Sequence, residues 1–371
     1  MALSKKVDKP FLFITSALVV VGFLIFASAS LGLLAQGTGK FYAVMFNQLV
    51  LGLCGGVTMA VILSHVHYTW WRKRAFYIFI ACAVLMIFVF IPGIGVFHGG
   101  ARRWIGLGTF SLQPAELYKI GYVMYLSAWL ASVKQKAGTF KLGTLPFIIL
   151  VAVTAGLVLM QPDTDTFLVI VAAGLGIFIT AGGRWRDLMG MLLIGALGLA
   201  LLITARPYLM KRVQTFMDPS KDPTGSGYQI QQSLIAIGSG GMFGRGFGQS
   251  IQKFNFLPEQ IGDSIFSVAA EEFGFVGSVA IIMLYLTFAY RGFRIAIRAP
   301  DPFASYMVVG IIILIVTQSL LNIAAMLAII PLSGTPLLFI SHGGTALFFT
   351  LASTGIIMNI SRYQKKLESS S

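Results

Sequence analysis

Ten apolar runs, each long enough to cross a bilayer as a helix, leave this chain little choice of fold. They lie near residues 11–35, 43–63, 75–96, 114–132, 143–161, 164–182, 188–206, 267–290, 303–330 and 343–360. A helix of roughly 18 to 25 residues matches a hydrocarbon core about 30 Å thick. The runs are continuously apolar rather than alternating, which excludes a transmembrane barrel. Hydrophobic residues make up 57% of the 371 and charged residues 11%, more apolar surface than a soluble core of this size hides. The expected fold is therefore all-α and polytopic: about ten transmembrane helices in a single membrane domain spanning 1–371.

An even number of spans puts both termini on one side, and the basic residues say which. The tails and every second loop collect 17 of the 27 Lys and Arg, including Arg72, Lys73, Arg74, Arg291, Arg294 and Arg298. Only Asp8, Asp187, Asp301 and Glu368 oppose them. The other face and the spans hold ten bases and nine acids. By the positive-inside rule the basic face, with tails 1–10 and 361–371, is cytoplasmic. The net charge of +14 then reflects topology and attraction to the anionic inner leaflet, with no call for nucleic acid. Lys5, Lys6 and Ala27-Ser28-Ala29 imitate a cleaved secretory signal, but removing this helix would invert the rest, so the first span reads as an uncleaved anchor. Cys54 and Cys82 read as small core residues, and His65, His67, His98 and His342 lack metal-ligand spacing.

Loops are short except for two outer segments, 97–113 and 207–266, the latter between spans seven and eight. Long loops on a compact scaffold carry function or disorder. The glycine-rich run IAIGSGGMFGRGFGQS follows no strand and lacks a Walker Lys-Ser/Thr, so it reads as tight turns rather than a nucleotide cradle. Downstream, FLPEQIGDSIFSVAAEEFG (256–274) holds four of only 13 acids: Glu259, Asp263, Glu271 and Glu272.

Five motifs in order, QPAELYK (113–119), QPDTDT (161–166), IAIGSGGMFGRGFGQS (235–250), FLPEQIGDSIFSVAAEEFG and PLSGTPLLFISHGG (331–344), resemble the successive signatures of the FtsW/RodA, or SEDS, family. The likeness runs through nearly the whole chain. It implies a ten-helix bundle in the bacterial cytoplasmic membrane that polymerises lipid II into glycan strands on its outer side. The run QSLIAIGSGGMFGRGFGQSIQKFNFLPE and the ending LASTGIIMNISRY are more similar to FtsW, the division member, than to RodA, the elongation member. Three local departures stand out: Ile261-Gly262 before the Asp, His342 within the Ser-Tyr-Gly-Gly-Ser signature, and Asp163-Thr164-Asp165 in the Gln-Pro-Asp motif. They leave open what positions the Asp.

The chemistry sets its own requirements. An α-linked diphosphate sugar joined to a hydroxyl as a β-glycoside is inverted once, so one displacement and one base suffice. Asp263, onto which the family's catalytic Asp maps, is the candidate base. Departing diphosphate calls for cations, and Arg102, Arg103, Arg206, Lys211, Arg212, Arg245 and Lys253 share the outer face. Each is either a phosphate contact or an interfacial anchor, and Trp104 either a site residue or part of the aromatic belt. Gln113 joins the candidate substrate-binding set. Glu116 and Lys119 share a helical face, as a self-satisfied ion pair or with Lys119 holding Asp263 ionised. Glu259 either raises the pKa of Asp263 or pairs with an Arg. Glu271 and Glu272 suit a helix N-terminus, and Asp163 and Asp165 either only form a turn or also line the same cavity. The resemblance and the chemistry imply a divalent cation, Mg or Mn, though no ligand spacing demands one.

Three functions compete: a polymerising glycosyltransferase, a lipid II flippase or transporter, and a division scaffold. A transporter should show midplane charges and internal repeats, whereas these ionisable groups gather outside. A scaffold gives the outer acids no reason to cluster. The resemblance also implies partners: a class B penicillin-binding transpeptidase and other division proteins.

Overall fold

The computed structural model describes residues 6–98, 101–107 and 110–365. Lys5, Lys366 and Glu368 of the expected tails lie outside these residues. A helix occupies each of the ten apolar runs. In chain order come α1 (Lys9–Ser30), α2 (Thr38–Asn47), α3 (Gly56–His65), α4 (Tyr68–Phe88), α5 (Pro114–Val133), α6 (Leu145–Leu159), α7 (Thr164–Thr180) and α8 (Trp185–Ala205). A π-helical stretch, Gln48–Gly55, makes α2 and α3 one rod. Next, α9 (Pro207–Met217) and α10 (Ser226–Ser239) occupy the long 207–266 segment. Finally come α11 (Ile265–Ile297), α12 (Pro302–Met326) and α13 (Gly344–Ser361).

Among the described residues, seven helical stretches are long and apolar enough to cross a membrane: Lys9–Ala35, Thr38–His65, Phe140–Leu159, Trp185–Ala205, Ile265–Ile297, Pro302–Met326 and Gly344–Ser361. Of the other three, α7 is a shorter apolar helix, α4 opens with Arg72-Lys73-Arg74, and α5 carries Glu116 and Lys119. Several starts are written in the sequence. The Asp8, Asp163 and Asp301 carboxylates accept from Phe11, Thr166 and Ala304 backbone N–H groups, and Pro10 and Pro302 fit the first turn, where no intrahelical donor is needed.

The all-α expectation needs one local correction. Residues 95–112 include a three-stranded antiparallel sheet, β1 (Gly95–His98), β2 (Ala101–Leu107) and β3 (Phe110–Leu112), in the order β1-β2-β3. Such a short segment pairs its own backbone groups rather than leaving them unsatisfied. A bulge at Val96/Phe97 shifts its register.

Helices α12 and α13 form the buried centre, while α8 stands at the edge with most side chains outward. In lipid, association comes from close packing and hydrogen bonds rather than from hydrophobic collapse. Gly355 of α13 illustrates the packing: a Cβ there would lie 2.4 Å from the Ala60 carbonyl oxygen of α3. At the same end, Asn359 accepts from Tyr68 N (3.0 Å) and donates to Ser64 O (2.9 Å).

The 33-residue α11 is broken at Gly274, at φ 67° and ψ −164°. The glycine-rich loop repairs the break. Phe275 N and Val276 N donate to the Gly241 and Met242 carbonyls, and Arg245 N and Gly246 N donate to those of Glu271 and Glu272. A Cβ on Gly274 would lie 2.3 Å from Gly244 N, so the two backbones meet only because side chains are absent. The reading as tight turns gains a purpose: this loop satisfies backbone groups freed by an interrupted helix.

Candidate active site

Four pieces of chain converge on Asp263: the turn-rich stretch 257–264 leading into α11, the α6–α7 turn, helix α9, and the 331–343 loop between α12 and α13. Asn322 of α12 donates through Nδ2 to the Asp263 carbonyl and to the Thr335 carbonyl, each at 2.8 Å. Ser341 Oγ donates to Gly262 O at 2.7 Å and His342 N to Ile261 O at 2.6 Å. The departures at Ile261-Gly262 and His342 thus meet each other, and their contacts are largely backbone. Gly334 faces the carboxyl: a Cβ there would sit 3.8 Å from Asp263 Oδ2 and 3.7 Å from Arg212 Nη2.

Arg212 bonds Asp165 Oδ2 at 2.9 Å, with a quarter or so of each side chain still exposed, and Gly334 N donates to the same oxygen at 3.1 Å. Arg103 donates from Nε to Gln161 O at 3.0 Å and from Nη2 to Pro162 O, which ties the small sheet to the α6–α7 turn. Glu259 reaches the site through a turn rather than a helix: it has φ 50°, and its carbonyl accepts from Gly262 N and Ser264 N. Burial, reinforced by the Glu259 and Asp165 charges, pushes the Asp263 carboxyl up to about 7, against the pull of Arg212 and Arg103. Burial likewise raises Asp163, with Arg103 opposing it. A carboxyl balanced near neutrality beside guanidinium groups is suited to taking a proton.

Other predicted residues fall elsewhere. Lys253, expected to bind substrate, is fully buried: its Nζ donates to Glu272 Oε1 (2.8 Å), Gly248 O (2.8 Å) and Ser28 Oγ (3.0 Å). All three ammonium protons are used, so Lys253 fastens the glycine-rich loop to α1 and α11. Glu271 and Glu272 anchor loops rather than simply opposing a helix dipole: Glu271 accepts from Ser250 Oγ, Ile251 N and Gln252 N. Lys119 pairs with Glu116 at 2.8 Å and donates to Gln318 Oε1 at 2.6 Å, which favours the self-satisfied pair over a direct hold on Asp263. Lys211 points outward to Asp222 at 3.3 Å. Arg102 is exposed and Trp104 half-buried. Gln113 occupies the N-cap of α5, and burial depresses His342 to about 4, keeping it neutral.

A family model described as "Cell cycle protein", covering FtsW, RodA and SpoVE, matches residues 9–366. This chain belongs to the FtsW/RodA/SpoVE family. It is 36% identical over 352 residues to stage V sporulation protein E of Bacillus subtilis strain 168, covering 95% of this chain and 96% of that one. A probable peptidoglycan glycosyltransferase FtsW of Geobacter sp. strain M18 is 36% identical, over 93% of this chain and 94% of its own. Among solved structures, a chain of a peptidoglycan synthase complex superposes with TM-score 0.78 at 27% identity, covering 97% of this chain and 99% of that one. The rod shape determining protein RodA of Thermus thermophilus gives 0.71 at 26%, over 97% and 98%. Like other FtsW/RodA/SpoVE proteins, the chain is a multi-pass protein of the bacterial inner membrane.

Among the described residues no three acids, histidines or cysteines converge as a ready-made metal centre. Asp263 and its acidic neighbours are hard oxygen donors, which suit a magnesium-type ion that shares its ligands with substrate phosphates. Sequence reasoning missed Asn322 and Gly334, and read Asp165 as a turn former or a residue lining the same cavity. Asn322 had a usable signal, since an amide in an apolar span marks function or a buried bond. Gly334 had none, because its importance comes from what folds around it.

Proposed function

We propose that the chain carries out its family's reaction with Asp263 as the base. It is a peptidoglycan glycosyltransferase, polymerising lipid II into β-1,4 glycan strands. The observation that carries the assignment is the Asp263 carboxyl, pushed up to about 7 within reach of Arg212 and Arg103. Ionised, it accepts the proton of the acceptor GlcNAc 4-hydroxyl as that oxygen attacks the donor anomeric carbon. The bond to the diphosphate oxygen breaks in the same displacement, and the configuration inverts. A positioned base contributes about 10²- to 10⁴-fold, so alignment and charge stabilisation supply the remainder. Arg212 and Arg103 would oppose the departing diphosphate with planar forks of donors. A Mg or Mn ion arriving with the substrate would share its ligands between substrate phosphates and at most two of the nearby carboxylates, Glu259 and Asp165, and would neutralise charge on the leaving group.

Ten crossings, cytoplasmic termini and an outward-facing Asp263 complete the proposal, supported by the basic bias of one face. The resemblance to FtsW-named relatives favours septal synthesis in division, with rod elongation the alternative. A class B penicillin-binding transpeptidase is the proposed partner, in keeping with a structural neighbour from a complex said to coordinate polymerization and crosslinking. The test is strand synthesis from labelled lipid II by the purified chain with that partner. Polymer from wild type and none from an inserted Asp263→Asn variant is the expected result; full-length polymer from that variant would remove the base assignment. Protected lipid II crossing a vesicle wall without polymer would favour the flippase.

A further inference from the structure

Helix α12 carries two side-chain amides one turn apart, Gln318 and Asn322, both turned toward the loop that follows it. Asn322 is fully buried, and both Nδ2 protons go to carbonyls, Asp263 O and Thr335 O. Carbonyls only accept, so these partners fix which way the amide faces. Its Oδ1 is buried with no hydrogen bond among the described residues. A buried acceptor left unsatisfied carries a penalty, so the reason for an Asn here lies in its two donors. Gln318 works alongside: its Oε1 is taken by Lys119 at 2.6 Å, and its Nε2 reaches Pro336 O at 3.3 Å.

The two carbonyls held by Asn322 belong to opposite sides of the site. One is the backbone of the base itself. The other adjoins Gly334, whose N–H holds the Asp165 carboxylate that in turn holds Arg212. We propose that Asn322 is a positioning residue for glycosyl transfer: its two amide protons lock the Asp263 backbone to the Thr335 loop and thereby set the distance between the base and the Arg212–Asp165 pair. Gln318 extends this lock toward the buried Glu116–Lys119 pair, which gives those residues an indirect place in the site. The inference rests on the polymerase function proposed above.

The experiment compares wild type, Asn322→Leu and Asn322→Asp as full chains with the transpeptidase partner. It reads kcat and KM for labelled lipid II across neutrality, melting temperature, and amide hydrogen exchange at 261–264. Leu keeps the branched shape at a larger volume and removes both donors. It should lower kcat about hundredfold, the scale of a one-ångström misplacement, with KM near wild type, a lowered melting temperature because two carbonyls lose their donor, a folded fraction still near wild type at the assay temperature, and faster exchange confined to 261–264. Asp keeps the shape but repels both carbonyls when ionised; its activity relative to wild type should rise as pH falls and the carboxyl regains one donor. Wild-type kcat in Asn322→Leu, unchanged exchange at 261–264, or a loss matched by an equal loss of folded protein would each overturn the proposal. Absence of polymer from wild type would instead sink the polymerase reading, and exchange at 261–264 would still decide the role of Asn322.

Discussion

Two charge clusters lie around the stretch 253–272, and they have opposite characters. Around Glu272, Lys253 spends every proton on Ser28, Gly248 and Glu272, and both charged side chains are sealed from solvent. Around Asp263, the Arg212–Asp165 pair stays partly open, and the Asp263 carboxyl faces two other acids rather than a tight partner of its own. Both clusters combine acids with bases. The closed one has no capacity left and can only hold the broken helix to its loop. The open one holds a carboxyl near its titration point with cations at hand, which is the state chemistry requires.

Asp263→Asn tests the open cluster most severely: strand synthesis should fall about 10²- to 10⁴-fold without loss of insertion, measured as initial rate from labelled lipid II. Arg212→Gln should lower the same rate about hundredfold, the scale of losing one well-placed donor to developing negative charge. The closed cluster should answer in stability instead. Lys253→Met strands a buried Glu272 charge and should cost about 3–5 kcal/mol of fold stability, with Glu272→Leu in the same chain recovering part of it; thermal melting in detergent reads both. Strong activity loss with unchanged melting in Lys253→Met would erase the contrast.

The pH dependence sharpens it further. Base catalysis by Asp263 predicts a polymerisation rate that falls as pH drops through about 7, and Arg212→Gln should move that limb to higher pH because the guanidinium now lowers the carboxyl. Stability runs the other way. A carboxyl raised on folding contributes stability that is fully present below its ordinary 3.8 and is lost as pH rises through about 7. Asp263→Asn, which cannot ionise, should therefore melt above wild type at alkaline pH and level with it in acid. The smallest effect belongs to Lys211→Ala. Its pair with Asp222 leaves the lysine 65% exposed, and such pairs contribute about 1 kcal/mol or less, so rate and melting should both stay near wild type.

How far the sequence spoke differs from element to element. Continuous apolar length announced helices in all ten runs, because a bilayer admits few other ways to satisfy a buried backbone. The short sheet at 95–112 escaped notice, since seven or fewer residues per strand carry almost no periodic signal. Asp263 was legible through its motif, and Arg103 and Arg212 through their charge. Lys253 was misjudged, because a lysine in an outer loop looks the same in sequence whether it faces phosphate or a buried glutamate. Asn322 went unseen for a related reason: its partners are backbone carbonyls, 59 and 13 residues away along the chain.

Residue order alone determined that this molecule lives in a membrane and which chemical groups its longer loops own. Only the tertiary structure decided which of those charges are used up and which are left free. Solvation and pairing are properties of neighbours in space, and a carboxyl with a satisfied partner differs from one without by a contact that no local spacing encodes.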